Sequence, residues 1–171
     1  MKNSSRVAIV VEGALCAALS VVLSYLTLFR MPQGGSINLS ILPLFIFANR
    51  HGWKSGIEVG ALAGFLDLMF SGYVVHPVQA FLDYPLASGM LGLSGLWRKH
   101  LITGTILAGF ACFLCYVASG VVFFASYAPE GTNVFLYSII YNASFFLPKL
   151  AINAIVALLL LNRIEKIYPS V

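Results

Sequence analysis

Charge is what this chain has least of. Only 9% of its 171 residues are Asp, Glu, Lys or Arg, while 60% are hydrophobic. A soluble domain carries roughly 25% charged residues, so too few polar groups remain here to cover a water-facing surface. Cysteine is scarce as well. Cys16, Cys112 and Cys115 all lie inside apolar runs. The C-x-x-C formed by Cys112 and Cys115 lacks the βαβ surroundings of a redox motif, and reads as packing residues one helical turn apart. No G-x-x-x-x-G-K-[ST] is present, so the chain is not expected to hydrolyse a nucleotide by that route. The net charge of +4 is spread in pairs at the ends of apolar runs and forms no patch, so nucleic acid is not an expected partner. The first apolar run is too long for a signal-peptide core of about 7–15 residues. Nor do the two halves of the chain repeat each other, as they often do in stand-alone secondary transporters.

What is present in abundance is apolar sequence of membrane-spanning length, about 20 residues per span. Spans are expected at 7–28, 38–50, 55–72, 77–97, 101–126 and 134–162, giving one all-α membrane domain over 1–171 built as a six-helix bundle. The second span is short and holds Pro43, which suggests a half-length or tilted helix. Cytoplasmic loops are enriched in Lys and Arg. With the N-terminus inside, six spans place Lys2, Arg6, Arg50, Lys54, Arg98, Lys99, Arg163 and Lys166 on one side and only Arg30 on the other. Both termini are therefore expected in the cytoplasm. The outer loops are rich in Gly, Pro and aromatic residues, and a ligand site is expected on their side. The loop around Gly34 and Gly35 is a candidate lid.

Ionisable groups inside spans are costly and rare, which makes each a functional candidate. Glu12 lies near the inner end of the first span. Glu58 is expected in the first turn of the third, where a helix dipole favours an acid. Asp67 and Lys149 lie deeper and could pair within the bundle. Asp83, followed by Tyr84 and Pro85, sits below the outer end of the fourth span. Its carboxylate either pairs with a neighbouring helix or holds an organic cation with help from aromatic faces. Tyr116, Phe123, Phe124, Tyr127, Tyr137 and Tyr141, with Asn142, supply such faces, although an interfacial aromatic belt needs no ligand. Gly92-Leu93-Ser94-Gly95 matches the G-x-S-G of rhomboid-type intramembrane proteases. No histidine lies in a later span to act as base, so these residues read as close helix packing, and no enzyme is expected. Ala14 and Ala18, with Gly13 and Ala17 beside them, form a small-residue stripe open to another helix or to packing within the bundle.

Four stretches carry a resemblance: MPQGGSINL from Met31, GYVVHPVQAFLDYPLA from Gly72, GVVFFASYAPEG from Gly120 and YSIIYN from Tyr137. In this order the chain resembles the thiamine-specific substrate-binding (S) components of energy-coupling factor (ECF) transporters, from about Glu12 to the end of the last span. That resemblance implies a six-helix bundle in a bacterial cell membrane with an occluded thiamine site near the outer face. It implies no cofactor, and partners in the form of two ATPases and one transmembrane scaffold protein, reached through Ala14 and Ala18. Thiamine contacts are implied at Asp83, Tyr84, Tyr73, Tyr116, Phe124, Tyr137 and Asn142. Two positions depart from the family pattern. Asp83 stands where Glu is frequent, and Tyr116 stands where a histidine is expected. An S component for another vitamin or a thiamine precursor is the alternative implied.

Overall fold

The computed structural model describes residues 2–31, 35–98 and 100–167, with side chains over 6–31, 35–98 and 100–160. It is helical apart from one two-residue β-hairpin, β1 (Phe29–Arg30) with β2 (Ser36–Ile37). The helices are α1 (Lys2–Tyr25), α2 (Leu42–His51), α3 (Trp53–Ser71), α4 (Pro77–Phe81), α5 (Ala87–Leu91), α6 (Leu101–Phe123) and α7 (Val134–Ile167). Among the described residues three stretches are long and apolar enough to cross a membrane: Arg6–Tyr25, Leu101–Phe123 and Val134–Leu160. Their outward faces are largely apolar, with Leu15, Phe110 and Ile155 each exposed. Water would oppose that arrangement and lipid would not.

The segment around Pro43 forms only the ten residues of α2, about 15 Å of helix and half a bilayer core. Its shortness has local causes. Asn38 accepts a hydrogen bond from the Ser40 amide at 3.1 Å, an Asx turn that competes with helix. Pro43 then sits in the first turn, where it starts a helix rather than breaking one. At the other end Gly52, with φ of 92°, stops α2.

The 77–97 segment is a chain of short pieces. Pro77 opens α4, capped by His76. A π-helical turn then covers Leu82–Leu86 with Pro85 inside it, followed by α5 and a 3-10 turn over Gly92–Trp97. Pro85 has no N–H to continue the α ladder, and a widened turn accommodates it. α3 packs directly on this broken segment through glycine. A Cβ on Gly60 would collide with the Ser88 carbonyl, one on Gly64 with that of Tyr84, and one on Gly92 with the Gly56 backbone. Gly92 and Gly95 therefore serve backbone approach. Ser94 is buried, and its hydroxyl has no hydrogen-bond partner among the described residues.

Two further expectations meet the structure here. Glu58 is not in the first turn of its helix, because α3 begins at Trp53; it is exposed in the second turn. Glu12 bridges α1 to α2, with Oε1 2.6 Å from Arg50 Nη1 and Oε2 3.0 Å from His51 Nε2. Gly34 lies outside the described residues.

Candidate functional site

At the end of the bundle carrying the hairpin, the helices part around a cavity of about 680 Å³. That lies within the range of roughly 300–1,000 Å³ usual for small-molecule sites. Tyr73, Asp83, Tyr84, Tyr116, Phe124, Tyr137 and Asn142 all line it.

The π-helical turn positions Asp83 and Tyr84. Gln79 lies one turn earlier and is 1% exposed. Its Nε2 donates to Asp83 Oδ2 at 2.7 Å and to the Tyr73 carbonyl at 3.2 Å, while its Oε1 accepts from the Val75 amide at 3.0 Å. The Tyr73 amide donates to the Tyr84 hydroxyl at 2.7 Å. The 73–76 loop is thus tied at three points to the segment holding the carboxylate. Ser119 lies close enough to act on the Asp83 carboxyl, and both residues line the cavity. No cation pairs with Asp83 among the described residues, so the ion-paired reading of this group does not apply there.

Aromatic rings make up much of the rest of the wall. Tyr73 stacks on Phe124 with centroids 6.4 Å apart, and Tyr137 on Tyr141 at 6.0 Å. Tyr116 meets Phe146 edge-on at 5.4 Å. The Tyr127 hydroxyl beside Tyr73 pushes the ionisation of Tyr73 above the usual tyrosine range. Asn142 is buried between α6 and α7. Its amide nitrogen donates to the Ser138 carbonyl at 2.9 Å and the Tyr116 carbonyl at 3.4 Å. That leaves its oxygen as the group available to a ligand. Gly120 makes this crossing possible, since a Cβ there would collide with Ser138 Oγ.

The hairpin closes one side. Asn38, 1% exposed, accepts at its carbonyl from Asn153 Nδ2 of α7 at 2.8 Å, and Ser20 Oγ donates to the Ser40 carbonyl at 2.6 Å. Gly35 has φ of 82° and lies flat on the Phe145 ring.

Sequence reasoning missed Gln79 and Ser119. Only the four-residue spacing of Gln79 from Asp83, one helical turn, could have pointed to the first. Asp67 and Lys149 were seen as buried charges, but their place on the wall of this same cavity was not. Asp67 accepts from Ser24 at 3.1 Å and from Ser71 at 2.7 Å. Ala14 and Ala18 lie on the exposed face of α1, away from the cavity, whereas Gly13 and Ala17 are buried in the bundle.

The model of the thiamine transporter protein family, Thia_YuaJ, matches residues 10–169. The chain belongs to that family. It is 32% identical to the thiamine transporter ThiT of Bacillus subtilis over 99% of this chain and 98% of that one. The thiamine transporter ThiT of Lacticaseibacillus paracasei is 28% identical over 99% and 94%. A solved structure of ThiT from Listeria monocytogenes superposes with a TM-score of 0.84 at 27% identity, covering 96% of this chain and 97% of that one. The S component of a bacterial ECF transporter shares the fold, with a TM-score of 0.68 at 20% identity. Membership makes the chain a multi-pass membrane protein of bacteria and a transporter protein, not an enzyme.

Proposed function

We propose that this chain captures thiamine as the S component of an ECF importer, at the cavity under the hairpin. The observation that carries this reading is the composition of the cavity: two carboxylates, Asp67 and Asp83, neither in an ion pair among the described residues, on a wall shared with stacked aromatic rings. Thiamine joins a permanently cationic thiazolium to an aminopyrimidine. Asp83 offsets the cation, ring faces add cation–π attraction, and the Asn142 oxygen accepts from the exocyclic amine. Tyr84, Tyr73, Phe124, Tyr137 and Tyr116 complete the contact set in this reading.

Six segments cross the membrane, with α2 only half-length and the 77–97 segment broken at Asp83. The cavity opens outward and both termini face the cytoplasm, in keeping with the basic residues at the other end, Arg50 and Arg98 among them. Two ATPases and a transmembrane scaffold supply the energy. The exposed Ala14 and Ala18 offer the scaffold a close approach.

The test is calorimetric titration of the purified chain with thiamine, its pyrimidine moiety and riboflavin. Calorimetry suits this protein because Trp53 and Trp97 lie at the opposite end and line no part of the cavity. Tight binding of thiamine without turnover is the expected result. Silence toward thiamine with tight binding of another vitamin would replace the ligand and keep the family.

A further inference from the structure

Lys149 has no task in the contacts described so far. Two helices independently place it at the floor of the cavity. On α7 the lining residues run Tyr137, Ser138, Tyr141, Asn142, Phe145, Lys149, away from the loops. On α6, which runs the other way, its neighbour Cys112 is a turn deeper than Tyr116. The ammonium makes no hydrogen bond and no ion pair with any described residue. Asp67 and the Cys112 thiol are near enough to act on its charge. An unpaired charge inside a membrane bundle is expensive to keep and marks a functional position by default.

Serine and tyrosine hydroxyls on the wall can donate, and so can Arg30, which is exposed; among the described lining residues Lys149 is the cation that is not exposed. Asp67 and Asp83, ionised, only accept, and the amide nitrogen of Asn142 is already engaged. Thiamine needs a donor as well, because its pyrimidine ring nitrogens carry lone pairs. Its thiazolium is repelled by an ammonium and attracted by a carboxylate. We infer that Lys149 sets the direction in which the ligand lies: Nζ donates to a pyrimidine ring nitrogen at the cavity floor, and the thiazolium is kept toward Asp83. This inference rests on the thiamine reading.

The test uses the purified full chain and the variants Lys149→Met and Lys149→Gln. Each is titrated with thiamine and with two analogues in which CH replaces one or the other pyrimidine ring nitrogen. K149M is expected to melt at a higher temperature than the parent without ligand, since the unpaired charge is gone. It should nevertheless bind thiamine at least about tenfold more weakly. K149Q keeps a donor and recovers part of that loss. The parent should lose a similar factor toward one analogue, and K149M should bind that analogue as well as the parent does. Equal or tighter thiamine binding by K149M overturns the inference alone, as does a loss equal for thiamine and both analogues. Failure of the parent chain to bind thiamine overturns the thiamine reading, and this inference with it.

Discussion

The two ends of the bundle are built on opposite principles. At the end holding Arg50, Gly52 and Arg98, backbone meets backbone. Gly56 lies on Gly92, and a Cβ on Gly95 would stand 2.5 Å from the Ala48 carbonyl. Charges there sit at the surface, where Glu12 pairs with Arg50 and His51. At the hairpin end rings and polar side chains line a cavity, and Asp67, Asp83 and Lys149 lie on its wall, while Arg30 and Glu130 are exposed. A closed, glycine-packed end fixes the helix directions, so the open end can hold a cavity without collapsing. Buried polar groups are affordable only where something will satisfy them, and at the open end that is a ligand.

The contrast is broken most severely at the closed end. Gly92→Leu has no room against the Gly56 backbone. A loss of about 3 kcal/mol or more is expected, at the upper limit of overpacking. Thermal melting of the protein in detergent would show it, and an unchanged melting temperature would refute the packing account. Next in size is Asp83→Asn, which leaves the fold intact and weakens thiamine binding by more than about tenfold, roughly 1.4 kcal/mol. Calorimetry on a variant with parental melting behaviour checks this. Phe124→Ala removes one ring from the stack with Tyr73, and about 1 kcal/mol of binding should go with it if the ring faces a cation. The smallest effect is expected from Glu12→Gln. Its pair with Arg50 is solvent-exposed, so stability should move by no more than about 1 kcal/mol and affinity not at all. A change in thiamine affinity in E12Q would mean the two ends are coupled.

Much of the candidate site was legible beforehand because its residues are unusual in a membrane chain. A carboxylate followed by Tyr and Pro in an apolar run stands out, and so do Tyr137 and Asn142 opposite aromatic loops. Gln79 and Ser119 did not stand out, since neither is ionisable and each acts through a neighbour. Asp67 and Lys149 were visible as costly charges, but their common destination was not, because they lie on α3 and α7 and nothing local links them. Helix ends erred for local reasons as well. Glu58 falls in the second turn rather than the first because Gly52, with its positive φ, lets α3 restart at once at Trp53.

The sequence by itself determined that this chain belongs in a bilayer and that acid and aromatic residues gather near one set of loops. Composition and periodicity suffice for that, since each span must satisfy its own backbone hydrogen bonds wherever its neighbours lie. Only the tertiary structure decided that the 77–97 segment is broken at Asp83, that Gln79 ties the loop to the carboxylate, and that Lys149 forms the floor of the same cavity. Those outcomes depend on which helix lies against which, and glycine seams and side-chain contacts between distant segments settle that.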